Sequence, residues 1–267
     1  MSGLRLLFRL VTASLRAQAQ YPGSTIMLTI GQFLGNAIEI FAVWALFDRF
    51  GNVHGWQLGE VAVFYGLVHM MFAIADMACR GFDVLGTDFL RTGDFDRVLL
   101  RPRTATLQLM GYEFRLSRLG RFAQGLVVLL IGSNAVGVEW SAMTIGMALW
   151  AMAGGIALFF AIVVMQGAVS FWTVESLEVV NVVTYGGVQA AQFPLSLYSD
   201  WLRNALTFVV PLACVAYFPI LLVLGKPDPL GTPAWFGVIS PLAGFIFLGV
   251  AFLAWRFGVR HYTSTGS

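Results

Sequence analysis

Six mainly apolar stretches, each close to the length of a bilayer crossing, govern what this chain can become. They cover residues 24–47, 58–79, 121–138, 143–172, 206–224 and 236–255. A helix needs roughly 20 mostly apolar residues to cross the hydrocarbon core. The last four stretches contain no acidic residue and no lysine; the first two carry Glu39, Glu60, His69 and Asp76 yet stay mainly apolar. In lipid every backbone polar group must be paired internally, and runs of this length do that as helices. The expectation is therefore an all-α, polytopic membrane protein with six transmembrane helices, folded as one domain over 1–267. The stretch 143–172 is longer than a crossing requires, so it should tilt, protrude, or break at Gly154-Gly155.

Composition points the same way. Only 11% of the residues are charged and mean hydropathy is +0.78, whereas soluble domains carry about 25% charged residues. A net charge of +2 argues against a nucleic-acid partner. Cys79 and Cys214 lie far apart in apolar runs and suit neither a disulfide framework nor a metal pair.

The first 21 residues lack the uninterrupted apolar core and cleavage site of a signal peptide. Arg5, Arg9 and Arg16 fall within roughly 40° of one another at about 100° per residue. Leu4, Leu7, Phe8 and Val11 occupy other faces. This pattern fits an amphipathic helix lying in the membrane surface; a frayed tail with scattered arginines is the other reading.

Arginine and lysine placement sets the orientation. With the N-terminus inside, inner segments hold 14 of the 16 basic residues: Arg5, Arg9, Arg16, the eight arginines from Arg80 to Arg121, Arg203, Arg256 and Arg260. Outer segments hold Arg49 and Lys226. Both termini are then cytoplasmic. On this scheme 173–205 is a cytoplasmic-side connection, partly helical and partly sunk in the interface, and 225–235 is an outer turn or short re-entrant piece.

Several chemistries lack their residues. The only lysine, Lys226, precedes Pro227, so no phosphate-cradling loop ending in Lys-Ser or Lys-Thr exists here. His54, His69 and His261 are scattered, with no HExxH or CxxC pairing to hold a metal. No GxSxG elbow is present. Neither an enzyme activity nor a cofactor bound by this chain is expected.

The segment 80–120 is the long charged interruption, and 87–110 is its most motif-like part. Gly93 breaks a helix, and Asp94 suits an N-cap. Asp94 and Asp96 favour the start of a short helix carrying Arg97, Leu99, Leu100 and Arg101, which Pro102 ends. That helix is too short to stand alone. Beyond it, 104–121 reads as an amphipathic helix leading into the third span. Mixed charge with exposed leucines makes a docking surface; a solvated loop whose arginines hold topology is the plainer reading.

A second pattern lies in the first span. Thr25, Thr29, Gln32, Asn36 and Glu39 recur at steps of four and three and trace one polar stripe. Gly31 and Gly35 beside it form a GxxxG that permits close helix approach. The stripe lines either a transport path or subunit interface, or an internally hydrogen-bonded packing face. The fifth stretch and its approach add Asn204, Thr207, Phe208, Pro211 and Pro219, whose prolines favour kinks.

The chain resembles the ABC-2 type transporter permeases, in particular the short six-span ABC-2 family transporter proteins. The resemblance is carried by GWQLGEVAVFYG at 55–66, GDFDRVLLRPRTATLQLM at 93–110 and FWTVESLEVVN at 171–181. It continues in FPLSLYSDWLRNALTFVVPLACVAYFP at 193–219, SPLAG at 240–244 and WRFGVRHYTSTGS at 255–267. It implies a type V exporter-like transmembrane domain in a bacterial inner membrane. Two permease subunits, identical or sister chains, would sit in lipid above two ATPase subunits that hold ATP and Mg. The coupling helix of that architecture maps onto Gly93–Pro102, with Asp94, Asp96, Arg97, Leu99, Leu100 and Arg101. The first and fifth spans would border the path, and export is the direction implied. A stand-alone secondary transporter or channel using Glu39 and Asp76 is the competing reading.

Overall fold

The computed structural model describes residues 3–173 and 177–264. Its elements are helical; the only β pairing among the described residues is an isolated bridge between Val53 and Trp56. An amphipathic helix α1 (Gly3–Ala19) leads into α2 (Pro22–Phe50), whose proline opens the helix where a missing N–H costs nothing. The central helix α3 (Leu58–Ala78) begins where the Glu60 carboxylate accepts the Gln57 N–H at 2.9 Å. Next come α4 (Arg80–Asp83), a π segment Leu85–Leu90, α5 (Phe95–Leu100) and α6 (Ala105–Met110). A 3-10 turn at Leu116–Arg118 feeds α7 (Leu119–Ala135), followed by the long α8 (Ala142–Val169). Then follow α9 (Leu177–Ala191), α10 (Asp200–Asn204), a π segment Ala205–Val209, α11 (Leu212–Val215) and α12 (Tyr217–Val223). Helices α13 (Ala234–Ile239) and α14 (Leu242–His261) close the fold.

Among the described residues four helices, α2, α3, α8 and α14, are long and apolar enough to cross a membrane, and the bent pair 200–209 plus 212–223 is a fifth if it counts as one span. Helix α3 is enclosed: 83% of its apolar window is buried, against 11% for α2. It packs on α7 through glycine. A Cβ on Gly66 would lie 2.7 Å from the Gly125 carbonyl oxygen, so the two backbones touch where any larger residue would part them. On the other flank α8 runs unbroken through Gly154-Gly155. The diglycine is a packing notch, with Pro241 and Gly244 against Gly154 and Met71 against Gly155.

Three expectations change. The amphipathic helix expected over 104–121 stops at Met110, because the chain turns at Gly111 and leaves the helical path before the 3-10 turn. The fifth stretch, 206–224, is bent by 73° at Val210-Pro211, where Pro211 has no N–H to continue the ladder. The connection 173–205 holds α9, which runs antiparallel to α3. Tyr185 meets Phe72 at 5.9 Å, Gln192 meets His69 at 3.0 Å, and Ser196 accepts the Trp56 indole N–H at 2.9 Å. Ser196 therefore lies at the Trp56 end of α3, opposite Arg80, and the nearby Arg203 cannot be counted with the Arg80 end on the strength of its loop. The sequence reading allowed part of this connection to be helical; it did not show α9 alongside α3, because Gly186-Gly187 and Pro194 interrupt the pattern.

The bundle thus has two distinct ends. At the Trp56 end, Lys226 binds Glu60 at 2.8 Å and sits 4.0 Å over the Trp56 ring, while Tyr217 donates to Asp228 at 2.6 Å. The other end gathers α1, 80–118 and the C-terminal turn of α14.

Candidate coupling site

The arginine-rich end is built on a turn at Gly93, whose φ of 76° is left-handed and favours glycine. Asp94 stands at the N-cap position of α5, but its side chain makes no capping bond; it pairs instead with Arg97 at 3.0 Å. Helix α5 has two faces. Phe95 and Val98, three residues apart, point inward and are buried. The Phe95 ring lies 5.3 Å from Phe171 and 5.0 Å from Tyr262, edge to face, and 6.4 Å from Trp255. One aromatic residue therefore joins α5 to the residues that follow α8 and to the last turns of α14 and the tail beyond it. On the opposite face Leu100 is 85% exposed and the Arg97 side chain 80%; Leu99, one turn after Phe95, is 44% exposed at the edge of the buried face, and Arg101 is also exposed.

Six residues cannot hold a helix in isolation. Tertiary partners supply what length does not. The Gln108 side-chain amide donates to the carbonyls of Val98 at 2.8 Å and Arg103 at 3.1 Å, satisfying oxygens that the helix end leaves open. Asp96 accepts a hydrogen bond from Ser264 at 2.6 Å, so the tail after α14 is tied to the same helix.

The platform is fastened to α3 by charge. Arg118 pairs with Asp76 at 2.6 Å; Arg80 pairs with Asp83 at 2.6 Å and with Glu113 at 3.6 Å; Arg115 pairs with Glu113 at 3.3 Å. The Arg115 N–H also donates to the Met77 carbonyl at 3.1 Å. Helix α1 closes the underside. Its Ser14 hydroxyl accepts from Phe114 N–H at 2.9 Å, and its Gln18 side chain accepts from Leu116 N–H at 3.0 Å and donates to the Phe114 carbonyl. The extended stretch 112–115 thus takes from α1 the hydrogen bonds that a helix would have supplied itself. Ser14, Gln18, Phe95 and Gln108 escaped sequence reading. Only Phe95, apolar between two aspartates and three residues before Val98, left any signal there.

The polar stripe of α2 turns inward. Tyr65 donates to the Asn36 carbonyl at 3.0 Å; Glu39 accepts from Tyr65 at 3.5 Å, from Gln192 at 3.3 Å and from Gln189. Thr29 donates to the Thr25 carbonyl at 2.7 Å, and Asn36 to the Gln32 carbonyl at 2.6 Å. Helix α7 presses on the stripe at Gly120, where a Cβ would lie 2.0 Å from the Thr29 carbonyl oxygen. The face of α2 left open is apolar, with Met27, Leu34, Ile38 and Phe41 exposed and open space beside Gly31 and Gly35. Thr25 and Gln32 also border a cavity of about 830 Å³ shared with Ser14, Gln18, Arg115 and Arg118. Asn204 and Phe208 are exposed, and Thr207 donates to the Arg203 carbonyl at 2.7 Å. None of the hydrogen bonds of the stripe goes to these three residues.

No group of three or more His, Cys, Asp or Glu residues that could hold a metal ion occurs among the described residues. An apolar helical bundle with several helices long enough to cross a bilayer is the build of a multi-pass membrane protein. The chain belongs to the ABC-2 family transporter proteins: the model of that family matches residues 33–266. Searches of curated proteins and of solved structures found no match.

Proposed function

We propose that the chain is the permease subunit of an ATP-driven exporter, moved through α5 by a separate ATPase. Membership of the ABC-2 family makes it a transport component of the membrane rather than an enzyme. The observation that carries the finer reading is the two-faced α5, with Phe95 locked to the ends of α8 and α14 and Leu100, Arg97 and Arg101 free to meet a partner. In this reading two ATPases holding ATP and Mg close beneath two permeases, identical or sister chains. Their closure displaces α5, and the spans attached to it follow. The permease contributes two packing states and no bond chemistry.

The topology we propose has six crossings: α2, α3, α7, α8, α9 and the pair α13–α14. The bent segment 200–223 then lies at the outer side as a re-entrant piece, and both termini are cytoplasmic in a bacterial inner membrane. Moving Arg203 outward leaves 13 of the 16 basic residues inside, so the orientation argument survives. The exposed face of α2 and exposed Phe208 offer the surface for a second permease. The path would run beside them, with Thr25, Thr29, Gln32, Asn36 and Glu39 setting the position of α2. The competing scheme, ion coupling through Glu39 and Asp76, is weakened because Asp76 is paired with Arg118.

The test is co-purification with the partner ATPase. Arg97→Glu and Leu99→Asp are expected to reduce ATPase recovery at least tenfold with unchanged membrane insertion. Normal recovery with both variants would remove α5 from the coupling role.

A further inference from the structure

Next to α5 lies a groove of about 660 Å³ between α5–α6 and the last turns of α14. Its polar lining residues are three arginines, Arg103, Arg256 and Arg260, with Thr104 and Thr106; its apolar ones include Leu99, Phe252, Trp255 and Val259. No acidic residue lines it. Among the described residues, none of the three arginines forms an ion pair, although Arg80, Arg97, Arg115, Arg118 and Arg203 all do. Three like charges at one groove repel one another, and an anion there would relieve the repulsion.

The order of residues along α14 says what kind of anion. Phe252, Arg256, Val259 and Arg260 recur at steps of four, three and one, so they share one face. That face is apolar toward the bilayer and basic toward the helix end. The adjoining surface of α14 is apolar and exposed at Ile246, Val250, Leu253 and Phe257. An apolar surface running into an uncompensated cluster of arginines matches an amphiphile with an acyl chain and a phosphate. Arginine also suits phosphate because its fork offers paired N–H donors.

We propose that this groove binds the headgroup of an anionic phospholipid, with the phosphate among Arg103, Arg256 and Arg260 and an acyl chain along Phe252 and Leu253. The inference rests on α14 being a membrane span; it does not depend on cargo, direction or the partner ATPase. Because Arg103 follows α5 directly and Arg256 and Arg260 belong to α14, a bound headgroup bridges the coupling segment to a span. The lipid would then stiffen the joint through which α5 acts.

The test uses the full chain in a mild non-ionic detergent, titrated with a fluorescent phosphatidylglycerol and displaced by unlabelled competitors. Unlabelled phosphatidylglycerol is expected to compete at least tenfold better than phosphatidylcholine. The triple variant R103Q/R256Q/R260Q is expected to lose that preference, while R91Q, at an exposed arginine outside the groove, keeps it. V259W, which fills the groove and keeps its charges, is expected to weaken phosphatidylglycerol as well. Gel filtration and thermal melting establish that each variant is folded. Equal binding of the two lipids, or an R91Q effect as large as that of the triple variant, would overturn the proposal. Displacement by soluble glycerol phosphate as effective as by phosphatidylglycerol would make it a free-phosphate site instead. Loss of the ATPase by the triple variant with phosphatidylglycerol affinity intact would make the groove a protein-docking surface and sink the lipid assignment.

Discussion

Replacing Phe95 by alanine separates anchoring from docking. The ring is fully buried and touches Phe171, Trp255 and Tyr262. Truncating a buried phenylalanine to alanine costs about 3–5 kcal/mol. Helix α5 cannot absorb that loss, since six residues have no stability of their own. The bundle proper, held by α3, α7, α8 and α14, keeps its contacts. The cost therefore falls on the local opening of α5, and a drop of ~3 kcal/mol raises the open fraction by more than a hundredfold. Hydrogen exchange on the detergent-solubilised chain reads this directly: amides over 95–101 should exchange at least a hundredfold faster, with protection in α3 unchanged. Leu100→Ala is the counterpart. That side chain is 85% exposed, so its removal should leave protection within the noise while lowering ATPase recovery. Unchanged protection in Phe95→Ala, or the same exchange increase in Leu100→Ala, would refute the two-faced reading of α5.

Two further outcomes follow from the α2 contacts. Glu39→Ala removes an acceptor shared by Tyr65, Gln189 and Gln192; Tyr65 keeps the Asn36 carbonyl and Gln192 keeps the Gln189 side chain, so the cost is that of the lost hydrogen bonds, about 0.5–1.5 kcal/mol each. Melting in detergent should show a loss, smaller in Glu39→Gln, and larger than in Glu60→Ala, where the freed Lys226 stays partly exposed and can be solvated. Gly120→Ala puts a methyl against the Thr29 carbonyl, and backbone cannot yield as a side chain can. It should destabilise by about 1–3 kcal/mol, with faster exchange in α2; a wild-type melting profile would show that α2 and α7 are not in contact.

Much of the frame was legible because apolar run length is a direct physical requirement. The stretches 24–47, 58–79 and 143–172 became α2, α3 and α8 within a few residues. The short helix after Asp94 was legible from Gly93 and Pro102, which bound it on either side. Its buried face was not, since Phe95 is inside only because Phe171, Trp255 and Tyr262 come back from more than 70 positions away in sequence. The Ser14 and Gln18 contacts with 114–116 were hidden for the same reason. The α2 stripe shows a different limit. Its spacing fixed that five polar residues share a face, but not which neighbour the face meets. Gly120, Tyr65, Gln189 and Gln192 decide that, and each lies on another helix.

The distribution of contacts also says where a push on α5 can go. Phe95 joins α5 to the ends of α8 and α14, while Arg118–Asp76 and the Arg115–Met77 bond join the same platform to α3. Of α3, α8 and α14, helix α8 lies between the other two, meeting α3 where Met71 fills the notch at Gly155 and α14 where Gly244 closes on Gly154. They respond as one block. Helix α2 is different: 11% of its apolar window is buried, and its ties are the Gly120 contact and the hydrogen bonds at Asn36 and Glu39. Hydrogen bonds can be exchanged for others, or for water, at modest net cost, whereas interlocked backbone cannot. If an ATPase pushes on α5 as proposed, the joint expected to yield is between α2 and the block. Glu39, with three donors from two other helices, sits at that joint, which is why its removal is a sharper probe of motion than any residue of the path itself.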